Sequence, residues 1–172
     1  MKKTLLIALN IAVALVSCKK DDISHQSEFN KSYQAWKNFQ QEVNNSYSYT
    51  VNYGSVFGFA ADTKITVTNG VVTKREYKAI YPANSPAPVN PVVWTEDQGQ
   101  IGSHSDGAPA LTLDQIYDKA KNEWLNVNTK DNDVFFETKN NGMISGCGYV
   151  PKGCQDDCFR GITITNISRV VN

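Results

Sequence analysis

Lys64-Ile65-Thr66-Val67-Thr68-Asn69-Gly70-Val71-Val72-Thr73-Lys74-Arg75-Glu76-Tyr77 is the stretch that decides the fold class. Two runs rich in β-branched residues flank an Asn-Gly pair, the combination that closes a two-residue hairpin. Asn and Gly tolerate the positive φ of a type I′ turn, and that turn twists the way the flanking strands do. A hairpin here predicts an antiparallel sheet.

Upstream, Tyr47, Tyr49, Val51 and Tyr53 alternate with Ser48, Thr50 and Asn52, so a half-buried strand with one aromatic face precedes the hairpin. Gly54 and Gly58 loosen the chain around Phe57 and Phe59. Before that strand the period lengthens. Phe29, Tyr33, Trp36, Gln40 and Val43 recur at helical spacing, with Tyr33 and Trp36 as core residues. Ser27 or a neighbour caps this helix, and Asn44-Asn45-Ser46 ends it.

Downstream, residues 82–110 hold five of the six prolines, at 82, 86, 88, 91 and 109. Each proline removes a backbone donor, so the segment is expected to be a long irregular loop. Its apolar cluster, Pro91-Val92-Val93-Trp94, offers Trp94 either as a pin to the body or as a ligand contact. Thr112 and Gln115 then form a capping box ahead of Leu113, Ile116, Tyr117, Ala120 and Trp124, the stripe of a helix lying on a sheet. Asp133–Thr138 reads as a strand, Asn140-Asn141-Gly142 as a turn, Met143–Gly146 as the start of a partner, and Phe159–Ile167 as a final strand. The expected fold class is α+β: an antiparallel sheet of about five to six strands with two helices packed on one face.

The N-terminus carries a different message. Lys2-Lys3 precede an apolar run of about 13 residues, shorter than the roughly 20 that span a bilayer, so it reads as a signal peptide. It ends in Leu15-Val16-Ser17-Cys18, which resembles the lipobox of bacterial lipoproteins. That resemblance implies acylation of Cys18, which would become the mature N-terminus. A multi-chain lipid anchor holds far more firmly than a single chain. Lys20-Asp21-Asp22 resembles the export signal of surface-displayed lipoproteins in the Bacteroidota. The expected organisation is a signal peptide over 1–17, a flexible tether over 18–27 and one domain over 28–172. The expected location is the outer membrane, lipid-anchored, and the Lys20-Asp21-Asp22 resemblance implies display at the cell surface.

Removing residues 1–17 from the 172 leaves 155, suited to one domain. Lys2 and Lys3 go with the signal, so 15 basic residues face 17 acidic ones. A net charge of about −2 creates no basic field, which argues against nucleic acid as a partner. The feature order also resembles a family of secreted bacterial proteins and lipoproteins known only as a domain of unknown function. Trp36, Tyr47-Ser48-Tyr49, the hairpin over 66–72, Leu111–Ile116 and Asp156-Asp157 carry that resemblance. The chain departs from it in the 82–110 segment and in Gly146-Cys147-Gly148-Tyr149-Val150-Pro151. It implies a small α+β sheet and no activity.

With Cys18 given to lipid, Cys147, Cys154 and Cys158 remain, and an oxidising compartment predicts one bridge and one odd thiol. Cys147–Cys158 would staple the ends of two strands, and Cys154–Cys158 is the alternative. Three thiols without a nearby histidine do not compose a zinc site, so no metal or cofactor is expected. No catalytic motif is visible, and the two histidines, His25 and His104, fall in the tether and in the loop. A non-catalytic binding module for a protein or small molecule is the expected function. The alternative is a hydrolase of envelope or external polymer that pairs carboxylates among Glu96, Asp97, Asp106, Asp156 and Asp157 about 5–10 Å apart.

Overall fold

Asn69 and Gly70 both adopt positive φ, 50° and 82°, and close the hairpin between β2 (Ala60–Thr68) and β3 (Val71–Ile80). The computed structural model describes residues 22–82 and 92–170. Around the hairpin lie α1 (Gln26–Glu42), β1 (Tyr47–Gly54) and β4 (Val93–Asp97), then α2 (Leu113–Lys119), β5 (Asn132–Glu137), β6 (Gly146–Pro151) and β7 (Arg160–Arg169). The fold is α+β, with the strands in the order β4-β3-β2-β1-β7-β6-β5 and every pairing antiparallel.

Among the described residues seven strands stand where five to six were expected, and the chief addition is β4, inside the proline-rich segment. Val93–Asp97 contains no proline, and it pairs along β3 from Lys78↔Val93 to Lys74↔Asp97. Residues 82–110 are therefore not one long loop. The part over 83–91 lies outside the described residues.

Both helices cover the same sheet face. Trp36 of α1 packs edge-on against Tyr47 at 4.9 Å, and its indole N–H donates to Asp114 Oδ1 at the start of α2 (2.9 Å). The capping box forms between Thr112 and Gln115, and Leu113, Ile116, Tyr117 and Ala120 are buried as expected. After Lys119 the helix widens into one π-helical turn, Ala120–Trp124, closed by Leu125 N–H to Ala120 O (2.9 Å). On α1, Tyr33 departs from expectation: it is 39% exposed and flanks Phe29 and Tyr117 at the helix surface. Ser32 takes the buried position instead.

The ordered body also starts earlier than expected. His25, not Ser27, is the N-cap residue, in left-handed conformation (φ 57°) and with no side-chain cap. The Ser24 N–H donates to Leu125 O (3.0 Å), His25 Nε2 lies 3.2 Å from Val134 O, and Ile23 packs on the core. Residues 22–27 are thus part of the domain edge.

Two bulges set which side chains face the helices. In β3 the register passes from Val67↔Val72 to Thr66↔Lys74, leaving Thr73 as the extra residue. A one-residue slip exchanges the two faces of a strand. It turns Arg75, Tyr77 and Ala79 inward and leaves Lys74, Glu76 and Lys78 on the outer face. In β7 the step from Thr50↔Asn166 to Val51↔Ile164 does the same, so Ile164 and Ile167 are both buried despite their odd spacing.

Three tyrosine hydroxyls bond inside the core. Tyr47 accepts from the Leu113 N–H (2.8 Å), and Tyr49 donates to Leu111 O. Tyr117 accepts from the Ile144 N–H (3.0 Å) beside Ser32 Oγ at 2.7 Å. Burial pushes the Tyr117 hydroxyl up to about 12 and raises Tyr47 and Tyr49 further, so all three stay protonated at neutral pH. Tyr117→Phe leaves the Ile144 N–H buried and unpaired, and a loss of about 1–3 kcal/mol is expected. Urea unfolding checks it, with the slope against urea unchanged and the midpoint lowered.

Candidate functional site

β4 lies at the sheet edge, and the chain after it folds back over the inner face. Glu96, opposite Arg75 in the register, is fully buried and organises this return. Its Oε1 accepts from Arg75 Nη2 (3.0 Å) and the His104 N–H (2.6 Å), with Ser103 Oγ at 3.2 Å and His104 Nδ1 at 3.1 Å. Its Oε2 accepts from the Gly102 N–H (2.8 Å). Burial alone would raise this carboxyl. The Gly102, His104 and Arg75 donors outweigh it and hold Glu96 at about 2. Arg75 in turn donates to His104 O (2.6 Å) and Ala108 O (3.3 Å).

Trp94, half-buried, belongs to this assembly. Its ring stacks between Tyr77 (5.0 Å) and His104 (4.4 Å, planes 3° apart), with the Arg75 guanidinium 4.7 Å from it. The structure puts Trp94 in the pinning role, and it does not line the cleft below. Gly107 seals the contact. A Cβ there would lie 3.0 Å from Thr63 Oγ1 and Tyr77 Cδ2, and its φ of +82° disfavours any other residue.

Where this return meets the sheet, the inner face is left uncovered by the helices. A cleft of about 540 Å³ opens there, within the range of small-molecule sites. Val51, Ala61, Thr63, Tyr77 and Ile162 form its floor, from four strands. Residues 106–109 and Leu111 wall one side, and Lys119 and Trp124 of the helical segment wall another. Tyr53, Phe59, Asp157 and Phe159 add to the lining. Phe159 is seated by a missing side chain: its ring lies where a Cβ on Gly148 would be, at 2.6 Å. Lys119 is held by Glu123 (2.7 Å) and sits 5.8 Å from the Trp124 ring centroid.

The cysteine loop supplies part of this lining. The bridge joins Cys154 to Cys158, with Cα atoms 6.2 Å apart, and Cys147 is a buried free thiol. The first choice, Cys147–Cys158, is corrected by the reach of β6. Cys147 is not in the loop but in the strand, paired with Ile162, and faces the core. Cys158 stands four residues back from Ile162, about 13 Å along an extended chain, beyond disulfide reach. Burial pushes the Cys147 thiol up to about 12, which keeps it unreactive. Within the bridged ring, Asp156 and Asp157 have positive φ, 64° and 26°, and Ser55 Oγ donates to Asp157 Oδ2 (3.1 Å).

The carboxylates singled out in the sequence separate into three groups. Glu96 is consumed by the buried ion pair. Asp97 and Asp156 are exposed and outside the cleft lining, whereas Asp106 and Asp157 both line it. Among the described residues no group of three or more His, Cys, Asp or Glu side chains could hold a metal ion. Cys18 lies outside the described residues. Tyr53, Tyr77, Trp124 and Phe159 were not singled out as site residues. One signal was available: the Tyr47-Tyr49-Val51-Tyr53 stripe runs further than the helices cover it. No family model, curated protein or solved structure matches the chain.

The depressed Glu96 carboxyl stabilises the fold above its ordinary value of 4.5, and that contribution fades as pH falls from 4.5 toward 2. Glu96→Gln should remove this acid-sensitive limb from a stability–pH curve and, by leaving Arg75 buried without its counter-charge, cost about 3–5 kcal/mol at pH 7. Non-reducing peptide mapping should return Cys154 joined to Cys158, with Cys147 alkylated only after unfolding. Losing this five-residue ring should lower stability by about 2 kcal/mol.

Proposed function

We propose that this chain is a lipid-anchored envelope protein whose folded domain binds a ligand in the sheet-face cleft and performs no catalysis. The cleft is the observation that supports the binding role: it is largely apolar and aromatic, with a few polar groups at its margin. Its lining comes from strands, a helix and a disulfide-pinned loop, so it is pre-formed. The reading of Cys18 as the lipidated residue rests on Leu15-Val16-Ser17-Cys18.

The start of the domain adds a geometric consequence. The described body reaches back to Asp22, four residue steps from Cys18, a span of at most about 14 Å. The anchored domain would therefore ride close to the lipid headgroups and not on a long stalk. Hydrolysis by carboxylates is the weaker reading. Glu96 is fully buried and its carboxylate is taken up by Arg75, Gly102, Ser103 and His104, while Asp106 and Asp157 stand exposed at the cleft margin.

Metabolic labelling with an alkyne fatty acid, followed by fractionation, tests the anchor. The wild-type chain should carry label and sediment with membranes. Cys18→Ala should lose both properties, and a Cys18→Ala chain that keeps the label would overturn the assignment.

A further inference from the structure

Resting on the reading of the cleft as a binding site, we propose that its ligand is a small amphiphilic cation, an organic ammonium carried on an apolar or aromatic body. Charge complementarity selects the cation. Among the described residues, the Asp, Glu, Lys and Arg side chains lining the cleft are Asp106, Lys119 and Asp157. Lys119 is already neutralised by both Glu123 oxygens, at 2.8 and 2.7 Å. Among the described residues, neither Asp106 nor Asp157 stands in an ion pair. Residues 83–91, which join β3 to β4, contain no ionisable side chain and bring no counter-charge. Among the described residues the cleft thus combines apolar walls with two carboxylates that no ion pair neutralises.

The walls add a second attraction of the same sign. Tyr53, Phe59, Tyr77, Trp124 and Phe159 line one cavity, and aromatic faces attract cations through the ring quadrupole. The protein already presents one of its own cations, Lys119, to the Trp124 ring. An anionic ligand would meet repulsion from both carboxylates, and a neutral one would leave their field unused. The disulfide ring matters here because it positions Asp157, which Ser55 then orients.

The three tryptophans make the test specific. Trp36 is in the core, Trp94 is stacked in the Glu96 assembly, and Trp124 is in the cleft wall. The full chain, labelled with 5-fluorotryptophan and held in non-ionic detergent, is titrated at low salt with three probes of similar size. These are phenethylammonium, 2-phenylethanol and 3-phenylpropionate, followed by ¹⁹F NMR.

The Trp124 signal should shift while Trp36 stays fixed, with phenethylammonium binding at least about tenfold more tightly than 3-phenylpropionate. Added salt should narrow that gap, and Asp106→Asn with Asp157→Asn should abolish it at unchanged thermal midpoint. If 2-phenylethanol binds as tightly as phenethylammonium, the cleft is a binding site but the cation assignment is wrong. If no probe moves Trp124, both the assignment and the binding-site reading fall.

Discussion

The antiparallel pairing of β1 with β7 is the contact on which the rest of the structure depends. β1 to β4 form one meander and β5 to β7 another, and each alone would expose a raw edge. Hydrogen bonding from Tyr47↔Arg169 to Val51↔Ile164 joins them into one sheet. That junction brings Tyr47, Tyr49 and Val51 beside Ile164 and Ile167, and so gives α1 and α2 a continuous surface to cover. It also carries the cysteine loop to the end of β1, where Ser55 meets Asp157.

Within that frame, the inner face is divided between two kinds of cover. Over the centre, the helices bury aromatic rings whose hydroxyls are paired with the Leu113 and Ile144 N–H groups and Leu111 O. Toward the β4 edge, the cover is irregular chain held by the Glu96 carboxylate, with Arg75 on the His104 and Ala108 carbonyls. Glu96 can do this because a carboxylate offers several acceptor positions, and it meets backbone N–H groups from a loop that has no ladder of its own. The cleft is what remains between these two covers. Its size follows from the length of α2 and from the close approach of Gly107 to Thr63 and Tyr77.

Much of the local structure was legible in the chain. The Asn-Gly turn, the Thr112–Gln115 capping box and the Tyr47-Tyr49-Val51 stripe all depend on residues near in sequence. They formed as the spacing predicted. β4 was missed because proline density over 82–110 masked the proline-free run Val93–Asp97. The inward turn of Arg75 was missed because the bulge at Thr73 reverses the alternation that the turn imposes. A hint was present, since Lys74, Glu76 and Lys78 are all charged while Tyr77 and Ala79 are not. Cys147 was misplaced because its strand begins at Gly146, where glycines on both sides weaken any strand signal.

By itself the sequence determined the α+β class, the central hairpin and the helix on its capping box, and it carries the N-terminal pattern on which the proposed lipid anchor rests. These follow from short-range rules: turn stereochemistry, side-chain period and the local chemistry of a cysteine after small residues. Only the tertiary structure decided which cysteines bond, which carboxylate is buried and which aromatic side chains line a cavity. Those outcomes depend on register and on contacts between residues far apart in the chain, such as Arg75 with Glu96 and Ser55 with Asp157. A one-residue slip changes them while leaving composition and period almost untouched.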